Sequence, residues 1–322
     1  MRFSIILLTY NVDMDEVKLT LKSILEQKFT DYEIVVSDDG SKENHFDEIV
    51  GYFKKYNFDR YIMVPHEENQ GTVKNIISAL EHCSGEYIRD FGPGDLFYDE
   101  NSLGNLDRFL RKNPCDTCFG LIQGYQLEDG DFRKTEFCHP FDIQAYRKKN
   151  NRERLIKNLV LYGDNISGAS FVNKREQYLD YLKRISPYVK YEEDIFVVLA
   201  ALEGKSIKLF DRYFIWYETD TGVSTGGNSR FTELLRQDVN NFFEMLFKEH
   251  PDNKYVKKRK KVAPFFKIKN LYLRTALRMI VNPGAAFYIL ISFIERMCGM
   301  HKDKTSDEGF LDNEDFRKKA IE

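Results

Sequence analysis

Three short stretches of this 322-residue chain combine residue types able to hold a phosphorylated ligand: Thr9-Tyr10-Asn11, Asp38-Asp39-Gly40-Ser41 and Gly92-Pro93-Gly94-Asp95. Each follows an apolar run of strand character. Ligands of parallel sheets bind beyond the carboxyl ends of the strands, so polar residues placed there are the first candidates for chemistry. An acid closing the second run can accept hydrogen bonds from a base edge or a ribose, and Gly40 lets the backbone turn close to a ligand. That is the chemistry of a nucleotide pocket. Neither GxGxxG nor GxxxxGKS/T occurs where a strand enters a helix, which removes the main support for a dinucleotide or P-loop phosphate site. Taken alone, Asp38 to Ser41 reads equally as a tight turn with a helix cap, and Glu192-Glu193-Asp194 as a solvated first helical turn, where acids are favoured.

The elements that must position these residues are legible over the first 115 residues. Apolar runs at Ser4–Thr9, Glu33–Ser37, Tyr61–Val64 and Tyr87–Phe91 alternate with helical periodicity, the pattern of a mainly parallel sheet with helices on its faces. Val17, Leu21, Ile24 and Leu25 fall at i, i+4, i+7 and i+8, one face toward a sheet, with Asp15 expected as the cap. Val73, Ile76, Ile77 and Leu80 repeat the pattern. After residue 116 the alternation weakens, and Tyr125 to Phe132 with its Asp129-Gly130 turn reads as a hairpin, so the architecture is expected to become mixed there.

Composition bounds the rest. Forty-eight Lys and Arg against 51 Asp and Glu leave a formal charge of −3, which excludes a globally basic nucleic-acid binder. Apolar residues at 42%, with 26 Phe and 19 Tyr, supply a substantial core and exclude global disorder. Single cores stop growing at roughly 250 to 300 residues, so a main domain plus an appendage is expected. Residues 253–294 carry ten Lys and Arg and no acid. Phe265, Phe266, Leu271, Leu273, Leu277 and Ile280 are interleaved with those cations, and Pro283-Gly284 breaks the segment before a second apolar helix. A basic, aromatic, amphipathic helix pair suits an anionic membrane surface; a solvated linker or a packing or dimerisation element is the competing reading. The longest apolar stretch, Ala285 to Ile294, is shorter than the ~20 residues needed to cross a bilayer. Cys83, Cys115, Cys118, Cys138 and Cys298 make an odd set, and the amino-terminal apolar run is short for a signal h-region. A reducing, cytoplasmic location is therefore expected, with the cytoplasmic membrane face as a peripheral site. Cys115, Cys118, Cys138 and His139 are poorly spaced for one tetrahedral zinc, and reduced thiols are expected. Residues 303–322 read as a loose charged tail.

Ser4-Ile-Ile-Leu-Leu-Thr-Tyr-Asn11, Leu21-Lys-Ser-Ile-Leu-Glu-Gln27, Glu33-Ile-Val-Val-Ser-Asp-Asp-Gly-Ser41, Asn69-Gln-Gly71 with Lys74-Asn75, and Gly85-Glu-Tyr-Ile88 occur in this order. Together they resemble family 2 glycosyltransferases of the GT-A fold and bacterial polysaccharide type. Further on, Glu193-Asp194 and Trp216-Tyr217 through Gly222-Val-Ser-Thr225 look like the family's acceptor-side motifs. The resemblance implies an α/β fold with a mainly parallel central sheet flanked by helices. A GT-A domain would span 1–250, with a nucleotide-binding half 1–115 and an acceptor half 116–250. A basic amphipathic helical region 251–302 and the charged tail 303–322 would follow.

Carried over residue by residue, the resemblance implies that Thr9, Tyr10 and Asn11 line the nucleotide and that Asp38 or Asp39, beside Gly40, contacts uracil or ribose. Strand alternation lets only one of the two acids face the pocket directly, and Asp39 is favoured. Asn69, Gly71, Lys74 and Asn75 would flank the sugar diphosphate, Lys74 standing where an arginine is commoner. The family's DxD motif holds a divalent metal on both phosphates, because breaking the anomeric bond builds negative charge on the departing diphosphate. Here both motif acids are glycines, Gly92 and Gly94. Asp95 remains as the expected ligand of Mn²⁺ or Mg²⁺, with Asp90 nearby on the strand; one carboxylate suffices when phosphate oxygens and waters complete the shell. Inversion at the anomeric carbon needs a base, and Asp194, with Glu193 beside it, matches the family's position, where a helix amino terminus would keep it ionised. The implied function is inverting transfer of a sugar from a nucleotide diphosphate, UDP first, to a hydroxyl of a growing glycan. A polyprenyl-linked acceptor would explain the basic helices. No nucleic-acid partner is implied, and a homo-oligomer is compatible. The lost DxD acids motivate one alternative, a non-catalytic nucleotide-sugar or glycan-binding protein on a degenerate GT-A fold. A nucleotidyltransferase is disfavoured, since no glycine- and Arg/Lys-rich loop follows the first strand.

Overall fold

The computed structural model describes residues 1–128, 131–148, 151–219, 229–266, 268, 270–305 and 308–321. Its amino-terminal half alternates strictly: β1 (Phe3–Thr9), α1 (Met14–Leu25), β2 (Tyr32–Asp38), α2 (Phe46–Lys55), β3 (Tyr61–Pro65), α3 (Thr72–His82) and β4 (Tyr87–Phe91). Then come β5 (Leu96–Phe97), α4 (Ser102–Lys112), β6 (Thr117–Glu128), β7 (Asp131–Thr135), α5 (Gln144–Arg147), α6 (Arg152–Lys157), β8 (Phe171–Lys174), α7 (Arg175–Ile185), α8 (Phe196–Leu202) and β9 (Ile207–Glu218). The carboxyl-terminal part is helical: α9 (Ser229–Glu249), α10 (Lys254–Phe266), α11 (Leu271–Val281), α12 (Gly284–Met297) and α13 (Glu314–Ile321).

One sheet in the order β3-β2-β1-β4-β8-β6-β9-β5 runs through the molecule, with β7 added to β6. The first four strands are parallel, and antiparallel pairs begin at β8. Continuous apolar runs make strands buried on both faces. Ile5 and Leu7 of β1 pack with Val17, Leu21 and Ile24 of α1 and Ile49 and Phe53 of α2. Ile6 turns to the other face, against Val73, Ile76 and Leu80 of α3. Thr9 pairs with Asp38, and Phe91 with Leu7. The carboxyl ends of β1, β2 and β4 therefore open at nearly one level.

Two local expectations shift. The cap of α1 is Asp13, whose side chain accepts the Asp15 N–H at 2.9 Å; Asp15 lies inside the first turn, where its charge complements the helix dipole. The hairpin pairs Glu128 with Asp131, while its Asp129-Gly130 turn lies outside the described residues, as do Lys267 and Lys269.

The basic helix α10 is amphipathic: Tyr255, Val256, Arg259 and Val262 are buried, while Lys254, Lys257, Lys258, Lys260 and Lys261 face solvent. The expectation of a loose tail is corrected. Phe310 stacks on Phe316 with centroids 4.4 Å apart, Leu311 is buried, and Lys22 donates to the Phe316 carbonyl at 3.0 Å. Gly309 lies so close to Trp216 that a Cβ would come within 2.6 Å of the indole. Burying such side chains contributes about 1.5–3 kcal/mol each, enough to hold down a segment whose other residues are mostly polar or charged.

Candidate active site

The loops beyond β1 and β2 are tied by their own acids. Asp38 accepts from Thr9 Oγ1 at 2.9 Å and from the Ser41 N–H and hydroxyl at 2.8 and 2.6 Å. Asp39, one residue on, turns the opposite way, as strand alternation requires. Its two oxygens accept the N–H groups of Gln70 and Gly71 at 2.8 and 2.9 Å. Asn11 has φ +48° and bridges the same loops, donating its N–H to Ser41 Oγ at 2.7 Å and accepting from the Lys42 N–H at 3.1 Å. Gly40 has φ +75°, and a Cβ there would lie 2.5 Å from the Glu68 carbonyl carbon, so only glycine permits this approach. Tyr10 is exposed at the rim. Both acids are buried, and each retains acceptor capacity beyond the bonds already made, since a carboxylate offers about four lone-pair sites.

Of the four residues expected along the diphosphate, three stay near this loop. Gly71 joins it to Asp39, Asn69 is half-buried and Lys74 is exposed. Asn75 is a correction: it is buried, its Oδ1 accepting from Ser37 Oγ at 2.5 Å and its Nδ2 donating to the Ser37 carbonyl at 3.2 Å. One step along a helix rotates a side chain by about 100°, which takes residue 75 from the solvent side of Lys74 into the sheet.

A second group of acids gathers around the end of β4. Arg89 is fully buried, donates to the carbonyls of Asp90 and, at 2.6 Å, Ala169, and lies 4.0 Å over the Phe91 ring. Beside it Asp90 is only 8% exposed, and its Oδ1 has no hydrogen-bond partner. Asp95 follows the turn closed by its N–H on the Gly92 carbonyl at 3.2 Å. Burial pushes its carboxyl up to about 8; Arg89 and the Glu218 N–H pull back, and the carboxylates of Glu218 and Asp90 push further. Asp194 accepts the Gly168 N–H at 3.1 Å, and burial raises it to about 6, with Asp90 adding to the rise. Glu193 is raised well above the usual range by burial, then by Asp194 and Asp90. Glu192 reaches about 8, from burial and then Asp194 and Asp238. Asp95, Glu193 and Asp194 keep part of their surface open, yet protein crowds them on the remaining sides.

The expected helix-terminal stabilisation of Asp194 is outweighed. Residues Glu193–Ile195 form a 3₁₀ turn ahead of α8, and one N–H bond does not offset the loss of water around a carboxylate. The segment before it is fixed by Asp238 of α9, which accepts the N–H groups of Lys190, Tyr191 and Glu192 at 3.0, 2.6 and 3.2 Å. The Lys190 carbonyl accepts the Val73 N–H of α3 at 3.1 Å. Hydrogen bonds therefore tie Asp39 to Gly71, and α3 to Lys190, from which the chain leads into Glu193 and Asp194; Asp90 acts electrostatically on both Asp194 and Asp95. Gly222 to Thr225 lie outside the described residues.

Glu218, the last residue of β9, is absent from the sequence-derived set and is buried against the Gly94 loop. An acid directly after Trp216-Tyr217 at a strand end is a signal of the same kind as Asp39 after β2. A divalent cation bound with a diphosphate needs hard anionic oxygens. Asp95, Glu218 and the orphaned Asp90 oxygen are such donors, so the chemistry fits. Among the described residues no three His, Cys, Asp or Glu side chains are arranged to hold an ion unaided; a cation here would complete its shell from phosphate and water. A cavity of about 590 Å³ between α1 and the tail, bordered by Lys22, Asp99 and Phe316, includes none of these residues.

Comparison with known proteins bears on this arrangement. The family model described as glycosyl transferase family 2 matches residues 4–175. WfgD of Escherichia coli, a UDP-Glc:alpha-D-GlcNAc-diphosphoundecaprenol beta-1,3-glucosyltransferase, is 22% identical over 73% of this chain and 83% of its own length. The glycosyltransferase GlyG of Streptococcus pneumoniae is 30% identical over 35% of this chain and 36% of its own length. The bifunctional glycosyltransferase pgtA of Dictyostelium discoideum is 30% identical over 30% of this chain, which spans only 12% of pgtA. Among solved structures, residues 1–349 of Staphylococcus aureus TarS with UDP-GlcNAc superpose with a TM-score of 0.53 at 16% identity, covering 95% of this chain and 94% of that one. The mannosyltransferase PcManGT of Pyrobaculum calidifontis with GDP-Man and Mn²⁺ gives 0.53 at 14% identity over 92% and 87%.

Proposed function

Because the chain belongs to glycosyl transferase family 2 and is a glycosyltransferase of the GT-A fold, we propose that it transfers a sugar, with inversion, from a UDP-sugar to a hydroxyl of a lipid-linked glycan. The observation that carries this reading is the set of crowded carboxylates around the end of β4, joined by contacts to the nucleotide-side loops of β1 and β2. In this reading Thr9, Tyr10, Asn11 and Asp39 hold the nucleotide, with Asp38 and Gly40 shaping the loop, and Asn69, Gly71 and Lys74 border the diphosphate.

Asp194 takes the proton of the acceptor hydroxyl as that oxygen bonds to the anomeric carbon. The bond from that carbon to the diphosphate oxygen breaks, and UDP leaves with the electron pair. A water-poor setting that raises a carboxylate toward neutrality suits this role, because a base works best when its affinity for protons lies near the working pH. Glu193 beside it is pushed further up, by burial and by the charges of Asp194 and Asp90, which makes Asp194 the better candidate for the base. Mn²⁺ or Mg²⁺, when bound, would neutralise charge on the departing diphosphate, and Asp95 is the residue proposed to hold it. UDP is favoured by the names of WfgD and of the TarS complex, and the diphosphoundecaprenol acceptor of WfgD supports a lipid-linked one.

Residues 251–302 are proposed to dock the catalytic domain, 1–250, on an anionic membrane surface, on the cytoplasmic face. Tyr272 is 86% exposed, Phe287, Leu290, Ile294 and Met297 form an exposed apolar row along α12, and Lys254, Lys257, Lys258, Lys260 and Lys261 of α10 face solvent. Among the described residues no single helix is long and apolar enough to cross a membrane; Tyr272–Val281 and Gly284–Met297 pass that test only as a pair bent by 119°. The test of the proposal is release of nucleotide from UDP-, dTDP- and GDP-sugars by the purified protein, with Mn²⁺ and a synthetic polyprenyl-diphosphate-linked GlcNAc acceptor. Acceptor-dependent turnover with a UDP-sugar supports the reading, and its absence with every donor and acceptor tried would overturn it.

A further inference from the structure

We propose that Glu218 delivers from β9 the carboxylate that the loop after β4 lacks, and that it shares with Asp95 the divalent cation bound with the donor's diphosphate. This rests on the sugar-nucleotide reading above and adds to it a ligand outside that loop. The loop carries glycine at both 92 and 94, so its only acid is Asp95. β5 and β9 pair antiparallel, Leu96 with Trp216 and Phe97 with Ile215; carried two residues further, that register sets Gly94 opposite Glu218. The contact is close. A Cβ on Gly94 would lie 2.5 Å from Glu218 Oε2, so a carboxylate oxygen already stands where the side chain of an acid at position 94 would begin.

The loop is held in place for this. The Gly94 N–H donates to Thr20 Oγ1 at 3.0 Å, and the Tyr125 hydroxyl donates to the Gly94 carbonyl. Gly94 itself has φ +89°, a backbone state that an acid at this position would adopt only with strain. Glu218 and Asp95 also influence each other electrostatically, the Glu218 N–H favouring and the Glu218 carboxylate opposing the charged form of Asp95. An independent observation points to a positive ligand in the same place: Asp90, more than nine-tenths buried and electrostatically linked to Asp95, has a carboxylate oxygen with no partner. Asp95 is thus opposed by two other carboxylates, Glu218 and Asp90, and a cation bound beside it would relieve that repulsion and the repulsion of a diphosphate.

The test is Mn²⁺ binding, read by electron paramagnetic resonance and by calorimetry of UDP with and without Mn²⁺, on wild type, E218Q and E218D. The inference predicts that E218Q weakens Mn²⁺ binding in the presence of UDP by at least about tenfold, the size seen even for residues that merely orient metal ligands, while metal-free UDP binding is unchanged or tighter. E218D, which keeps the charge on a shorter stem, falls between. If E218Q folds and binds Mn²⁺ with UDP as the wild type does, the inference is overturned and the transferase reading stands. If E218Q misfolds, E218D decides alone: wild-type Mn²⁺ affinity with the shorter stem contradicts ligation. If the wild type binds no UDP under any condition, the reading and the inference fail together.

Discussion

The two groups of acids at the sheet's open edge are built in opposite ways. Asp38 and Asp39 are buried but satisfied, each carboxylate receiving at least two hydrogen bonds from loops it holds together. Around β4 the acids have few donors: Asp194 accepts one backbone N–H, and Asp90 keeps an orphaned oxygen. Burial raises Asp95, Asp194, Glu192 and Glu193, with a cation, Arg89, pulling back at Asp95. A satisfied carboxylate stabilises the fold by tying loops together. A crowded, unsatisfied one destabilises the fold and is poised to take up a proton or a cation. The first group therefore reads as scaffold for the nucleotide, and the second as the seat of the chemistry.

Substituting the second group should remove activity and spare the fold. For D194N the expected loss of transfer is about 10²- to 10⁴-fold, the usual contribution of a positioned base, with UDP binding by calorimetry close to wild type. Wild-type turnover in D194N would remove Asp194 from its role.

The first group should behave the other way. D39A leaves the N–H groups of Gln70 and Gly71 without acceptors in a buried loop, a loss of about 1–3 kcal/mol readable by urea denaturation. For Asp95 the sign reverses. Its folded-state value, raised from 3.8 to about 8, means that the folded chain holds this proton more tightly than the unfolded one. The associated stability is complete below pH 3.8 and is lost as pH rises through about 8. D95N should therefore flatten the decline in melting temperature across that window. Equal pH dependence in D95N and wild type, or a D39A protein as stable as wild type, would erase the contrast.

The smallest effects are expected far from both groups, on α10. Replacing Lys258, Lys260 and Lys261 by Gln should weaken sedimentation with anionic vesicles by about 1 kcal/mol per lysine and leave transfer to a soluble acceptor unchanged. Binding to neutral vesicles as strong as to anionic ones would contradict an electrostatic component.

The order of strands and helices in the amino-terminal half was legible in the sequence because β1, β2 and β4 are buried on both faces and read as unbroken apolar runs ending in polar residues. What escaped depends on distance and phase. Asn75 went astray because an apolar periodicity marks the buried face of α3 by its apolar residues and does not show that a polar one shares that face; its side chain bonds Ser37 of β2. Glu218 carries a local signal, an acid at a strand end, but its place beside Gly94 became visible only through the pairing of the two-residue strand β5 with β9, a contact across more than a hundred residues. The tail misled because charge dominates its composition, while Phe310, Leu311 and Phe316, which decide its fate, are few. Burial likewise reversed the electrostatics expected at Asp194, since a sequence shows the turn that carries an acid and not how much water surrounds it.

The most direct test of the account is the pH dependence of kcat/KM for transfer, which reports the free enzyme's base. The account predicts a rise with pH whose midpoint lies near 6, where burial has brought the Asp194 carboxyl, and the disappearance of that midpoint from the residual activity of D194N. A rate that is flat from pH 5 to 8, or a midpoint that survives unchanged in D194N, would contradict it.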